Sequence, residues 1–301
     1  MTPLSERLRV TLRQDVQSMQ AYAIQDSRGM VKLDAMENPF PLPPELQRAL
    51  GERLGRVAIN RYPAQCAADV VAALSRHIGL PEGCALMLGN GSDELIDLLS
   101  VACDLPGATI LAPVPGFVMY EMSAKLRGLG FVGVPLRPDF ELDETAMLEA
   151  IERHRPALTY IAYPNNPTAN LFDDAAIDLV VAAVGAQQGL VVMDEAYRPF
   201  SSRTWMQKMA SRPHVMVLRS ERTRLQRELA AMPGVQPFPS EANMILVRVP
   251  DSARAFAGMK ARGVLVKHIA PLHPLLSNCL RLTVGSPQEN DRMLQALRES
   301  V

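Results

Sequence analysis

Short apolar runs alternate with stretches of helical periodicity through the middle of the chain. The runs that predict strands are Ala85–Leu88, Thr109–Ala112, Phe131–Pro135, Leu158–Ala162, Leu190–Met193 and Val215–Leu218. Most are rich in Val, Ile or Leu without polar alternation, which is typical of strands buried on both faces of a parallel sheet. Helices are predicted between them at Asp93–Ala102, Tyr120–Leu129, Glu144–Arg153 and Asp173–Ala186. This alternation predicts an α/β fold with a doubly wound, mostly parallel sheet in a large domain.

The two ends of the chain have a different pattern. The first forty or so residues hold one helical stretch and then a proline-rich turn. The last eighty predict helices at Glu221–Ala231 and near Ser252–Arg262, with strands at Met244–Val249, Val264–His268 and Leu280–Val284. We therefore expect residues 1–45 to form an N-terminal arm and part of a smaller α+β domain, residues 46–219 to form the large domain, and residues 220–301 to complete the small one. The active cleft is expected between the two domains.

Composition narrows the class of protein. The 301 residues are 48% hydrophobic and 21% charged with a net charge of -1, which excludes a disordered chain and argues against a basic nucleic-acid-binding surface. The cysteines show no C-x-x-C spacing and the histidines no ligand spacing, so we expect no metal. No apolar run approaches the ~20 residues that cross a bilayer, and the charged start lacks a signal sequence. We expect a cytoplasmic protein with neither membrane nor nucleic acid as partner.

Three motifs follow predicted strands. The first, Gly89–Glu94, opens a helix, and its glycines and free N–H groups suit an anion such as phosphate. An ordinary βα turn with Ser92 or Asp93 as N-cap is the alternative. The second runs from Asn165 to Thr168, where ligands bind in open α/β sheets, although Asn-Pro is also a common turn dipeptide.

The third motif runs from Asp194 to Tyr197 and ends a strand. Burying a carboxylate at the end of a strand costs free energy unless the carboxylate is paired with a cation. A protonated pyridine nitrogen is such a cation, whereas a helix-capping Asp is the alternative. Each motif is ambiguous alone, but the three together are far more specific.

In this order, the motifs resemble those of the pyridoxal-phosphate-dependent aminotransferases of fold type I, and most closely the histidinol-phosphate aminotransferase family. Further likenesses lie at 33–39, 60–63, 115–117, 239–243 and 281–285. The resemblance implies transamination of histidinol phosphate with 2-oxoglutarate, using glutamate as the other amino acid, in histidine biosynthesis. A related phosphate-substrate decarboxylase or aromatic aminotransferase on the same scaffold stays open as an alternative.

The resemblance also implies a role for individual positions. Gly91, Ser92 and Asp93 would hold the phosphate of pyridoxal 5'-phosphate, together with Tyr62 from the partner subunit of a homodimer. Phe117 would stack on the pyridine ring, Asn166 and Tyr197 would bind its phenolic oxygen, and Asp194 would keep its nitrogen protonated. Asn243 and Arg281 would face the substrate, with Arg281 as a fork for its carboxylate. Two positions depart from the family: Met36 stands where Asn is usual, and Phe117 where Tyr is common.

The lysine that such enzymes need is missing. In the family, the Schiff-base lysine follows a strand that corresponds to Val215–Leu218, in a Thr/Ser-x-Ser-Lys turn. Here the sequence passes near residues 219–221 directly into a charged stretch that resembles a much later part of the family. The sequence has 26 arginines but only five lysines, which are Lys32, Lys125, Lys208, Lys260 and Lys267. None stands where the resemblance requires one, so we expect the chain as it stands to be inactive.

Two explanations of the missing lysine stay open. Either the sequence omits an internal segment of the protein, on the order of fifty residues for the turn, a returning strand and long helices, or the gene product truly lacks that segment and is a non-catalytic pseudo-enzyme. We favour the first, because losing central elements of a doubly wound sheet exposes its core while every other cofactor contact is kept.

Overall fold

The computed structural model describes residues 10–18, 25–61, 66–219 and 232–301, and within them it forms two five-stranded sheets. The strands are β1 Val31–Leu33, β2 Thr109–Val114, β3 Gly130–Pro135, β4 Leu158–Ala162, β5 Leu190–Glu195, β6 Val215–Arg219, β7 Gln236–Pro237, β8 Met244–Arg248, β9 Val264–His268 and β10 Cys279–Thr283. The helices are α1 Gln14–Ser18, α2 Pro44–Gly55, α3 Cys66–Ile78, α4 Ser92–Ala102, α5 Val118–Arg127, α6 Glu144–His154, α7 Asp174–Ala186, α8 Met206–Met209, α9 Ser252–Ala261 and α10 Pro287–Arg298. The predicted charged helix Glu221–Ala231 lies outside the described residues.

The larger sheet is parallel throughout and has the strand order β3-β2-β4-β5-β6. Neighbouring residues along each strand point to opposite faces. Leu111 and Ile161 accordingly pack with α6 and α7, whereas Ile110 and Tyr160 pack with α4 and α5. Helices thus cover both faces, as the apolar strands require, and the predicted doubly wound α/β fold is confirmed.

The smaller sheet combines both ends of the chain, in the order β1-β9-β10-β8-β7. β1 pairs with β9 in parallel, and the other pairs are antiparallel. One face packs against α9 and α10 through buried side chains such as Ile245, Leu282 and Leu294. Ser286 and Glu289 form a capping box at the start of α10, which fixes that helix locally.

The prediction of a strand at Ala85–Leu88 is wrong. These residues are irregular and pair with no strand that the structure describes, and the side chains of Met87 and Leu88 are 62% and 42% exposed. The physical reason is that a strand needs a neighbour for its backbone hydrogen bonds. Helix α2 is also unpacked and contains no buried residue. Apolar side chains are therefore exposed both in α2 and at residues 87–88.

The other predicted strands are present, with ends shifted by at most a few residues. Helix α4 begins at Ser92 and α5 at Val118, each slightly earlier than predicted. No helix among the described residues has the length and apolar character to span a bilayer.

Candidate active site

A pocket lies where the carboxyl ends of β4 and β5 meet the N-termini of α4 and α5. Side chains from all three sequence motifs reach it. Its lining consists of Ser92, Phe117, Tyr120, Ala162, Pro164, Asn166, Asp194, Ala196 and Tyr197. The parallel sheet explains this convergence, because the carboxyl ends of its strands share one edge.

Asp194 lies at the base of this pocket and is 4% exposed. Its Oδ2 accepts a hydrogen bond of 2.7 Å from the hydroxyl of Tyr120, and its Oδ1 accepts one of 3.0 Å from the backbone N–H of Ala196. Burial raises the pKa of Asp194, while these two hydrogen bonds act in the opposite direction. The site therefore holds a desolvated carboxylate that a cationic ligand would stabilise.

Asn166, Tyr197 and Arg281 form a continuous hydrogen-bonded chain. Arg281 Nη1 donates to Asn166 Oδ1 at 2.9 Å, and Asn166 Nδ2 donates to the Tyr197 hydroxyl oxygen at 3.2 Å. Burial raises the pKa of Tyr197 to about 12, against the opposing effect of the Arg281 guanidinium. Tyr197 is therefore a neutral hydrogen-bond donor at neutral pH. This row of hydrogen bonds connects β10 of the small sheet to the loop that follows β4 in the large sheet.

Residues near the start of the chain complete the wall beside Arg281. Arg281 Nη2 donates to the Asp34 carbonyl oxygen at 2.9 Å, and Asn243 Nδ2 donates to the Met36 carbonyl oxygen at 2.8 Å. The hydroxyl of Tyr197 donates to Met36 Sδ at 3.2 Å. Met36 thus accepts through its sulfur at the position where the family usually has Asn. Asn243 Oδ1 is buried without a hydrogen-bond partner in the described part of the chain.

The N-terminus of α4 lacks a side-chain cap. Gly91 occupies the N-cap position at φ 84°, a left-handed conformation that favours glycine, and makes no capping hydrogen bond. Ser92 lines the pocket, whereas Asp93 is exposed on the first turn. The uncapped N–H groups and the Ser92 hydroxyl can receive an anion.

Phe117 immediately precedes α5 and lines the pocket. Its ring meets that of Tyr120 edge to face, with centroids 5.6 Å apart and planes at 84°. The sequence motifs did not single out Tyr120. Its spacing from Phe117, one turn along a helix that starts at the pocket, was the only available signal, because its partner Asp194 is 74 positions away.

All five lysines lie in the described residues, and none lines this pocket. Lys32 is paired with Asp34 and Glu37, Lys125 with Glu121, and Lys208 with Asp178. Lys260 donates to Gln25, and Lys267 lies in β9. Of the other predicted positions, Tyr62 lies outside the described residues, as do residues 220 and 221 at the proposed junction.

Comparisons with known proteins point in one direction. Residues 28–221 and 204–297 match the family described as aminotransferase class I and II. A histidinol-phosphate aminotransferase of Methylibium petroleiphilum is 56% identical over 356 positions, covering 98% of this chain and 96% of the relative. One of Paracidovorax citrulli is 51% identical over 359 positions, covering 96% and 97%.

A solved structure gives the same fold. The histidinol-phosphate aminotransferase of Sinorhizobium meliloti, in complex with pyridoxal-5'-phosphate, superposes with a TM-score of 0.78 at 19% identity. The match covers 99% of this chain and 98% of that one.

Proposed function

The chain belongs to the class I and II aminotransferase family, and from that premise we propose that its reaction is transamination of histidinol phosphate with 2-oxoglutarate in histidine biosynthesis. One structural observation carries the proposal most directly. The buried carboxylate of Asp194 shares a pocket with Phe117, Asn166 and Tyr197, and Arg281 is bonded to Asn166 beside it. These groups match the ring, phenolic oxygen and nitrogen of one aromatic cofactor.

The cofactor is pyridoxal 5'-phosphate, and the residues present fit it. Its pyridinium nitrogen would pair with the buried carboxylate of Asp194, and its phosphate would bind at the uncapped start of α4, at Gly91, Ser92 and Asp93. Phe117 would cover the ring, while Asn166 and Tyr197 would bind the phenolic oxygen. When bound, the cofactor supplies an electron sink for the carbanion formed at the substrate's Cα. Asp194 sustains that sink by keeping the proton on the ring nitrogen.

The substrate would lie between the cofactor and the small sheet. Arg281 is the cation in position to take the carboxylate of glutamate or 2-oxoglutarate, because Asn166 and the Asp34 carbonyl oxygen hold its guanidinium in place. Asn243 would face the substrate, and its buried carbonyl oxygen is left for a donor on that molecule.

We also propose that an internal segment is missing after β6. The family match divides into two parts, residues 28–221 and 204–297, and their overlap at residues 204–221 contains β6. The alignment to the Methylibium petroleiphilum relative runs over 356 positions although this chain has 301 residues, so at least 55 positions hold a residue of the relative alone. The unpaired segment 85–88, with Met87 and Leu88 exposed, supports the same proposal. The missing segment would carry the lysine that moves the substrate proton.

The quaternary and cellular context is proposed on the same basis. We infer a homodimer in which Tyr62 of each subunit reaches the phosphate site of the other. The partly buried Phe117 and the open apolar surface around α2 are compatible with a second chain nearby. The location would be the cytoplasm, where the small-molecule substrates of amino-acid biosynthesis are found.

Insertion of the missing segment tests the function. Three proteins are compared: the 301-residue chain, the chain with the Methylibium petroleiphilum segment inserted after Arg219, and the same insertion with its lysine changed to alanine. Formation of glutamate from histidinol phosphate and 2-oxoglutarate is expected only in the second. Release of CO₂ from a phosphorylated amino acid supplied in place of histidinol phosphate, without glutamate formation in the first assay, would favour the decarboxylase instead.

Intact mass decides how the gap arose. Protein from its native source with a mass of 33.0 kDa would show that the mature chain itself lacks the segment, and so would favour a non-catalytic protein. A mass several kilodaltons higher would show that the native protein contains it.

A further inference from the structure

The contact between Tyr120 and Asp194 joins two elements that approach the pocket from different directions. Tyr120 lies in the first turn of α5, and Asp194 lies near the end of β5. The hydroxyl donates to Asp194 Oδ2 at 2.7 Å, and both side chains are buried, at 2% and 4% exposure. A charge-assisted hydrogen bond of this length in a dry site is among the stronger interactions in a protein.

The Tyr120 ring is held on two sides. It stacks on Tyr160 with ring centroids 4.4 Å apart and planes at 9°, and it meets the edge of Phe117. Burial, reinforced by the charge of Asp194, raises the pKa of Tyr120 well above its usual range. The hydroxyl therefore stays protonated at neutral pH and donates its hydrogen bond to Asp194. Tyr120 thus contacts both Phe117, which would stack on the cofactor ring, and Asp194, which would pair with the ring nitrogen.

The hydrogen bonds of Asp194 leave a defined space for a ligand. Tyr120 and the Ala196 N–H each satisfy one lone pair of a different oxygen, and both donors stabilise the ionised form. Without the Tyr120 hydroxyl, a proton shared between Asp194 and a pyridine nitrogen would move toward the carboxylate. The ring would then be neutral, and its capacity to accept electrons would fall.

We propose that Tyr120 is a positioning residue that keeps the cofactor's pyridine nitrogen protonated by holding Asp194 ionised and correctly oriented. The inference rests on the proposed cofactor site and adds to it a residue that does not contact the nitrogen itself. Tyr120 acts on the reaction through Asp194, while its ring supports Phe117.

Cofactor binding to the 301-residue chain tests this directly. The variants are Tyr120→Phe, which removes only the hydroxyl, and Tyr160→Phe, a matched control whose ring lies in the same stack but whose hydroxyl donates to the Ile96 carbonyl oxygen instead of Asp194. The probes are pyridoxal 5'-phosphate and its analogue with carbon in place of the ring nitrogen. Equilibrium dialysis measures both affinities, and a pH titration of the bound cofactor's absorption reports protonation of the ring.

Tyr120→Phe is expected to weaken binding of pyridoxal 5'-phosphate by about tenfold and to lower the pH at which the bound ring loses its proton. Affinity for the nitrogen-free analogue should change less than twofold, and Tyr160→Phe should resemble the unaltered chain with both probes. Equal weakening for both probes would assign Tyr120 a purely structural role and overturn the inference. Unchanged binding and an unchanged titration would overturn it as well.

Failure of the proposed function gives a different result. If the unaltered chain binds neither probe, the cofactor site itself is refuted, and the role of Tyr120 falls with it. Thermal unfolding of each variant verifies that it is folded before binding is measured.

Discussion

Two short segments of this chain, Val31–Leu33 and Ala85–Leu88, differ in whether they form a strand. Val31–Leu33 is only three residues long, yet it forms a strand in register with Val264–Val266, and Leu33 is 1% exposed. Ala85–Leu88 is longer and contains only apolar residues, but it is irregular, and Met87 and Leu88 are exposed. The difference lies in the neighbour, because β9 is present for the first segment and no strand in the described residues pairs with the second. Strand formation is here a property of a pair of segments.

The same contrast separates the two larger regions around them. The sheet formed by the chain ends has a closed core that includes Leu282, Met293 and Leu297, each 0% exposed. Helix α2 has Leu46, Leu50 and Leu54 at 55%, 46% and 60% exposure. The apolar face of α2 is therefore made for contacts that the described chain does not supply.

Supplying a neighbouring strand for residues 85–88 should remove the difference between them and residues 31–33. With the segment of the Methylibium petroleiphilum relative inserted after Arg219, we expect residues 85–88 to become a paired strand. Their amide hydrogen exchange should slow on the order of a thousandfold, because hydrogen bonding within a packed sheet protects backbone amides from exchange. Exchange at residues 31–33 should stay unchanged. Mass spectrometry of peptides from both segments measures this, and unaltered exchange at 85–88 would refute the assignment of the gap.

A matched pair of leucine substitutions measures how unequal the two regions are. Leu282→Ala removes a fully buried side chain from the closed core and should lower the free energy of unfolding by about 3 kcal/mol. Leu50→Ala, in the open face of α2, should change it by about 0.5 kcal/mol or less. Urea unfolding monitored by circular dichroism gives both values. A cost for Leu50→Ala as large as that for Leu282→Ala would mean that α2 is packed in solution.

The carboxylate at the end of β5 should destabilise the cofactor-free chain. Burial raises the pKa of Asp194 above the value in the unfolded chain, so its protonated form stabilises the fold at low pH, and that stabilisation is lost as the pH rises through the folded-state pKa. Asp194→Asn is therefore expected to raise the free energy of unfolding by about 2 kcal/mol at pH 7, so that the variant unfolds at a higher urea concentration.

The difference between Asp194→Asn and the unaltered chain should shrink toward zero as the pH approaches about 3, where the unfolded carboxyl is protonated as well. The same urea titrations at pH 7, 5 and 3 measure it. If Asp194→Asn is less stable than the unaltered chain at pH 7, the prediction that the buried carboxylate destabilises the fold is wrong.

The capping box of α10 should give the smallest effect. Ser286→Ala removes the hydroxyl that accepts from the Glu289 N–H and should cost about 1 kcal/mol. Ser202→Ala, at an exposed position without a capping role, serves as the control. A loss no larger than that of the control would show that this end of the small sheet is held by its core alone.

Most of the large sheet could be predicted from the sequence because its strands are continuous apolar runs and its helices have clear starts. Leu158–Ala162 has its predicted bounds, and Asp173 caps α7 where the pattern breaks. The predicted strand at Ala85–Leu88 was wrong because an apolar pattern does not indicate whether a neighbouring strand is present to pair with it.

The candidate site was predictable as far as its residues lie in motifs. Asp194, Asn166, Tyr197 and Arg281 were named from sequence, and the structure brings them together. Tyr120 was missed because a tyrosine on a helix indicates packing until its partner is known. Equally, a buried contact such as that of Asn243 with the Met36 carbonyl oxygen depends on a fold that brings distant parts of the chain together.

The pairing of Val31 with Val264 closes a loop that contains all five strands of the large sheet. The entropic cost of closing such a loop grows only with the logarithm of its length, so some 55 residues more or fewer inside it alter that cost by roughly 0.2 kcal/mol. The chain ends can therefore find each other about as easily in this chain as in its longer relatives. The proposed absence of an internal segment would therefore leave the free energy of pairing the two chain ends almost unchanged.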